Sequence, residues 1–303
     1  MDDAALNLSA GEGADAAVFR AQGGSLYVVA TPLGNLRDLT LRALDILRTA
    51  DVVAAEDTRV SAVLLRHYRI ETTLVALHAH NEARRGAELL AQLVAGRSVA
   101  LISDAGTPGV SDPGARLVRM AHDAGRPVVP VPGPSAAIAA VSAAGLGAER
   151  FLFAGFLPSA AKARQAMLRS LAMLPCAVVL YEAPHRVQDT VADLAALFAS
   201  ERILVIAREL TKRFETIARM PLQDAAAWIA ADPNHSRGEF VLIVDAPLVA
   251  PTMALDGATE RWLVALAVEL SPAQAARIAA AATGLPRDVL YARVVALRGP
   301  DRP

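Results

Sequence analysis

The sequence predicts an α/β protein: two α/β domains with a cleft between them, followed by a small helical domain. Three observations carry that prediction. From Ser25 onward short apolar runs alternate with helical patterns, as in a mostly parallel sheet covered on both faces. A second such series follows the joint "VPVPGP". Beyond about residue 255 only helical patterns remain.

The chain has 303 residues, 54% of them hydrophobic, ample for two buried cores. Its longest apolar runs, such as "VALI" and "AVVLY", stop well short of the roughly 20 residues that a membrane helix needs. The acidic start "MDDAALNLSAGEGADAA" lacks the basic residues and apolar centre of a signal peptide. Residues 1–24 therefore read as a flexible leader, and the protein is expected in the cytoplasm. Cys176 stands alone, so it makes no internal disulfide, and it reads as a small buried apolar side chain.

Net charge is −1, which excludes a bulk polycationic nucleic-acid binder. The first 24 residues hold four acids and one base, which leaves +2 on residues 25–303. Lys162 and Lys212 are the only lysines among 30 basic residues, a bias that compositional drift explains more simply than phosphate recognition.

In the N-terminal α/β domain, residues 25–132, strands are expected at 26–31, 52–56, 72–78, 98–103 and 127–131, with helices near 40–49, 58–68, 80–95 and 112–124. The second, residues 133–248, opens on an Ala-rich helix started by Pro134 and Ser135. Its strands are expected at 150–155, 177–182, 203–209 and 238–245, and its helices at 159–174, 184–199 and 221–231. In the helical domain, residues 255–300, Ser271 and Pro272 start one helix and Gly284 stops it. A helix-turn-helix unit and a helical hairpin packed on the body both fit, the hairpin better on pattern alone.

Two familiar patterns fail on context. "GEGADA" (11–16) fits the Gly-x-Gly-x-x-Ala fingerprint but follows no strand. His78, His80 and Glu82 lack a further ligand set, so no metal is expected.

Three Gly/Pro-rich loops are more informative: "TPLGNLRDLT" after the first strand, "SDAGTPGVSDPG" (103–114) after the fourth and "PGPSAA" after the fifth. All leave carboxyl ends of strands, where open parallel sheets collect ligands. The middle loop has no basic residue to hold a phosphate, but it carries Asp104, which can accept from ribose hydroxyls or an amino group. That favours a neutral or cationic nucleoside. S-adenosylmethionine fits the description, as do other nucleosides.

The motifs at 26–59, 103–114, "VPGPSA" (131–136), "FAGFLP" (153–158), "YEAPHR" (181–186) and "ARELTKRFE" (207–215) resemble those of the bacterial 16S rRNA cytidine 2′-O-methyltransferases. These belong to the S-adenosylmethionine-dependent tetrapyrrole methylase superfamily. The resemblance runs from residue 25 to about 297 and implies cofactor bound between two α/β domains, a homodimer, and methylation of a decoding-centre cytidine ribose in the small ribosomal subunit. It implies cofactor contacts from Pro32, Leu33, Asp104, Thr107, Val110, Ser135 and Ala136, with Phe156, Tyr181 and Glu182 closing over the ligand.

Moving a methyl group to a hydroxyl requires a base. Glu56, Asp57, Glu182 and His185 are the candidates, and each carboxylate can equally form an ion pair with Arg59 or Arg186. Arg59, Arg66, Arg186, Arg208, Lys212 and Arg213 are the candidate RNA contacts, and "RRG" at 84–86 adds to them. The competing readings are a superfamily methylase acting on a small tetrapyrrole or a protein, and a nucleoside-binding protein without turnover.

Overall fold

A computed structural model describes residues 18–147, 149–247, 255 and 257–298. Most of the leader, the "GEGADA" pattern and residues 248–254 before the helical domain lie outside the described residues.

The first sheet contains β1 (Leu26–Val29), β2 (Val52–Ala55), β3 (Thr73–Ala76), β4 (Val99–Ile102) and β5 (Val128–Val131) in the order β3-β2-β4-β1-β5. Every pairing in it is parallel. Alternation along β1 sends Tyr27 and Val29 to one core and Leu26 to the other. Helices α1 (Leu41–Thr49) and α2 (Thr58–His67) pack on the first face, α3 (Glu82–Val94) and α4 (Ala115–Asp123) on the second. Neighbouring strands β1 and β4 therefore lead to helices on opposite faces, α1 and α4. A crevice opens between their carboxyl ends, where such a fold holds ligands.

Local sequence sets the helix starts. Thr40 Oγ1 accepts the Ala43 N–H at 3.2 Å and Asp57 Oδ1 accepts the Arg59 N–H at 2.8 Å. Glu82, weighed above beside two histidines, instead accepts the Gly114 and Arg116 N–H groups, each at 3.1 Å, where α4 begins.

The second sheet contains β6 (Phe151–Phe156), β7 (Ala177–Glu182), β8 (Ile203–Arg208), β9 (Thr216–Pro221) and β10 (Phe240–Val244) in the order β6-β7-β10-β8-β9. It is mixed: β10 runs antiparallel to both neighbours, and β9 antiparallel to β8. Strand β9 was not expected, because "TIARMP" is a half-exposed edge segment with no apolar run. Helices α5 (Ala136–Ala143), α6 (Ala161–Ala172), α7 (Val187–Leu197) and α8 (Ala225–Ala231) cover this sheet. The helix expected at 221–231 is a 3₁₀ turn, Leu222–Asp224, running into α8. Cys176 is half-exposed just before β7, not buried as expected.

Helices α9 (Gly257–Glu269), α10 (Pro272–Thr283) and α11 (Arg287–Arg298) form the last unit. Its core, with Leu263, Ala275, Ala276, Ala279, Leu290 and Val294, draws only on this segment. The expected hairpin packed on the body is thus a three-helix unit with its own core. No helix among the described residues is long and apolar enough to cross a membrane.

Candidate functional site

The three Gly/Pro loops meet. Thr31 and Gly106 exchange backbone hydrogen bonds at 2.8 and 3.0 Å, an isolated bridge across the β1–β4 crevice. Thr107 Oγ1 donates to the Pro134 carbonyl at 3.0 Å, tying the second loop to the third. Gly106 faces Leu33 so closely that a Cβ there would lie 3.3 Å from Leu33 Cδ2. The density of glycine in the middle loop has a backbone cause: Gly106, Gly109 and Gly114 all have positive φ, at 81°, 80° and 121°.

These loops form one wall of a cavity of about 340 Å³, and the second domain forms the other. Of the expected residues, Leu33, Thr107, Val110, Ser135, Ala136, Phe156, Tyr181 and Glu182 line it. Phe156 and Tyr181 meet edge to face with ring centroids 5.6 Å apart, and Phe156 is 53% exposed. Tyr181 Oη accepts the Ala137 N–H at 3.2 Å, so β7 is fastened to the first turn of α5 and one of that helix's free amides is already used. Burial pushes the Tyr181 hydroxyl pKa up. Ser135 sits at the N-cap position, yet its side chain makes no capping bond.

Pro32 and Asp104 line a second cleft beside this cavity, between the first loop and α2. Asp104 Oδ1 accepts the Asp57 N–H at 2.9 Å, which turns the carboxylate toward α2.

The candidate bases separate. Glu182 is buried: it accepts the Ala183 N–H at 2.8 Å and the Thr190 hydroxyl at 2.6 Å, and pairs with Arg186 Nε at 3.2 Å. It anchors the cavity wall by tying β7 to α7. Asp57 is forked by Arg59, whose hydrogen bonds lower its pKa to about 2, so it is a weak base. His185 is exposed and does not line the cavity. Glu56 is half-buried, and its pKa is raised by burial, then by the charges of Asp112 and Asp104. Sequence reasoning missed Asp112, which lines the cavity with a pKa raised by burial and by Asp104, partly offset by a Ser103 hydrogen bond. The signal was the second aspartate of the middle loop.

The candidate RNA contacts also divide. Arg208 is buried, donating to the Arg237 carbonyl at 3.2 Å, the Phe214 carbonyl at 3.1 Å and Thr216 Oγ1 at 3.3 Å. Arg186 donates to the Leu157 and Pro158 carbonyls at 2.8 and 3.2 Å. Terminal guanidinium nitrogens of both are turned to the protein's own oxygens, which disfavours them as phosphate contacts. Lys212 is held by Glu209 and Glu239 at 2.9 and 2.6 Å. Arg59, Arg66 and Arg213 are exposed. His78 and His80 stand with rings 6.0 Å apart, and no metal-holding group of three His, Cys, Asp or Glu occurs among the described residues.

The cavity's donor set is consistent. Asp112, Glu182 and Glu239 line it and no Lys or Arg does, while Leu33, Val110, Leu210, Phe240 and Val241 add apolar surface. Such a lining suits a cationic nucleoside and disfavours a phosphate.

Comparison with known proteins agrees with this geometry. Residues 25–226 match the family model of the Tetrapyrrole (Corrin/Porphyrin) Methylases, and residues 253–298 match the RsmI C-terminal HTH domain. The chain is 48% identical over 278 residues to ribosomal RNA small subunit methyltransferase I of Pseudomonas aeruginosa, covering 91% of this chain and 98% of that one. The protein of the same name from Xylella fastidiosa is 49% identical over 269 residues, covering 88% and 98%. Among solved structures, uroporphyrin-III-C-methyltransferase from Thermus thermophilus superposes with a TM-score of 0.53 at 25% identity, covering 73% of this chain and 94% of that one. A cobalt precorrin-4 methyltransferase gives 0.55 at 18% identity, covering 73% and 95%, and shares the fold. With a family model matched over two thirds of its length and relatives near half identity along almost all of it, the chain belongs to the tetrapyrrole (corrin/porphyrin) methylases.

Proposed function

We propose that this chain is an S-adenosylmethionine-dependent methyltransferase of small-subunit ribosomal RNA, and that it modifies the ribose 2′-hydroxyl of a decoding-centre cytidine. The observation that carries the cofactor is the cavity lined by three carboxylates and by no cationic side chain. The substrate rests on relatives named for ribosomal RNA small subunit methylation.

The cofactor, when bound, supplies an electrophilic methyl group on a positively charged sulfur. The chain's residues do the rest. Leu33, Val110 and Val241 exclude water, and Phe156 and Tyr181 offer ring surface to an adenine. Thr107, Ser135 and Ala136 bring backbone and small side chains close to the ligand. Asp112 is the carboxylate best placed to take the proton of the 2′-hydroxyl, because it lines the cavity and its raised pKa makes it a better acceptor than Asp57. Arg59, Arg66 and Arg213 remain the candidate phosphate contacts. The same reading includes a homodimer working in the cytoplasm, which sedimentation of the purified protein and cell fractionation check.

Purified protein incubated with labelled S-adenosylmethionine and small subunits from a strain lacking the modification tests the reading. Label in 16S rRNA ribose is expected. No label in that RNA overturns the substrate, and label on a base overturns the 2′-hydroxyl chemistry.

A further inference from the structure

Strands β8 and β9 are joined by residues 209–215, which make two successive turns. The Lys212 N–H donates to the Glu209 carbonyl at 3.0 Å, and the Glu215 N–H donates to the Lys212 carbonyl at 3.1 Å. The first turn carries Leu210, which lines the cavity described above. The second has Arg213 and Phe214 at its tip. Phe214 is 65% exposed, more than any other Phe, Trp or Tyr among the described residues, and the Arg213 guanidinium lies over its ring, 5.5 Å from the centroid.

A single exposed apolar side chain needs no explanation, but this one is held in place. The Phe214 carbonyl accepts from Arg208 Nη2 at 3.1 Å and from the Thr216 hydroxyl at 3.2 Å. The Thr211 N–H donates to Glu215 Oε2 at 2.5 Å, and Lys212 is fixed by Glu209 and Glu239. Glu209 and Thr211 have φ of 52° and 65°, a region unfavourable to any side chain and most of all to a β-branched one. Backbone strained in this way and pinned by its surroundings is concentrated where proteins handle ligands. The loop stands at such a place, because Lys212 lies against Gly34 of the first loop and its partner Glu239 lines the cavity.

Phe214 itself does not line the cavity. It is four residues from Leu210, which does, so their Cα atoms are at most about 15 Å apart. An RNA strand that brings one ribose into the cavity passes its neighbouring nucleotides along this rim. We propose that Phe214 is a stacking platform for an unpaired base next to the target nucleotide, with Arg213 on the adjoining phosphate. The inference rests on the rRNA reading above and deepens it. Proteins grip unpaired RNA with aromatic rings and arginines, because every base has a flat π face and every linkage a negative charge. With a net charge of only −1, the chain gains from stacking an affinity that bulk charge does not supply.

The test uses small subunits lacking the modification, labelled S-adenosylmethionine and the full chain carrying Phe214→Leu or Phe214→Trp. Leucine keeps an apolar side chain without a ring, and tryptophan keeps a ring. Phe214→Leu is expected to raise KM for the subunits at least about fivefold, the loss of one stacked base. Its cofactor affinity by calorimetry and its sedimentation coefficient should stay at the wild-type values. Phe214→Trp is expected to remain within about twofold of the wild-type KM, and the fluorescence it adds should be quenched by subunits. A wild-type KM in Phe214→Leu overturns the proposal alone. So does a changed sedimentation coefficient, which assigns the ring to a second copy of the chain. Equal impairment of Phe214→Trp and Phe214→Leu also overturns it, assigning the ring to a shaped protein contact. No label with wild-type protein overturns the rRNA reading, and this proposal with it.

Discussion

Lys212 lies across Gly34, joining the second domain to the first loop: a Cβ at Gly34 would overlap Lys212 Cγ and sit 2.9 Å from its Cε. The lysine cannot simply swing aside, because its ammonium pairs with Glu209 and Glu239. Leu33 and Glu239 both line the cavity, so this contact braces its rim. Gly34→Ala is expected to weaken cofactor binding about tenfold, the effect of an overpacked contact worth 1–3 kcal/mol. Gly34→Ala with Lys212→Ala removes the clash, so the double variant should bind better than the two single losses add up to. Calorimetry on all three measures it.

Asp112 offers a test in which activity and stability move in opposite directions. Burial and then the Asp104 charge hold its pKa above the ordinary aspartate value of 3.8. A carboxyl with a higher pKa folded than unfolded binds more protons in the folded state, so the fold loses stability as pH climbs from the unfolded value through the folded one. Asp112→Asn escapes that loss and should melt above wild type at pH 7. Its kcat should fall about 10²- to 10⁴-fold, and the acidic limb of the wild-type pH–rate profile should vanish. A variant that keeps the limb would exclude Asp112 as the base.

Glu182 should behave as an anchor. Its buried carboxylate holds Thr190, the Ala183 amide and Arg186. Glu182→Gln leaves the Arg186 charge without its partner and should cost about 3–5 kcal/mol in denaturant unfolding. The pH midpoint of the remaining activity should not move.

Arg208 and Arg213 should differ in kind although they lie five positions apart in the chain. Arg208→Ala takes a buried donor from the Phe214 and Arg237 carbonyls and should cost about 1.5–3 kcal/mol of stability, with the salt dependence of RNA binding unchanged. Exposed Arg213→Ala should leave stability within about 0.5 kcal/mol and lower the slope of log affinity against log salt by about 1 if it meets a phosphate. Filter binding between low and moderate salt reads that slope.

Sequence alone located the strands of the first sheet to within a few residues, along with the three loops at its ligand-bearing edge and the turn to helices near 255. Those features are local. Apolar period reports burial of a strand or helix face, and Gly, Pro, Thr40 or Asp57 act on backbone a few residues away. Strand β9 escaped notice because it is a half-exposed edge strand held by pairing with β8, without the continuous apolar run that marks a buried strand. What only the tertiary structure decided concerns partners far apart in the chain. The Asp57 amide, 47 positions away, holds one oxygen of Asp104, and the Arg237 carbonyl, 29 positions away, holds Arg208. Asp112 becomes the raised carboxylate of the cavity through burial and the charge of Asp104. A charged side chain's role depends on the donors, acceptors and water around it, and these are set by how distant segments come together.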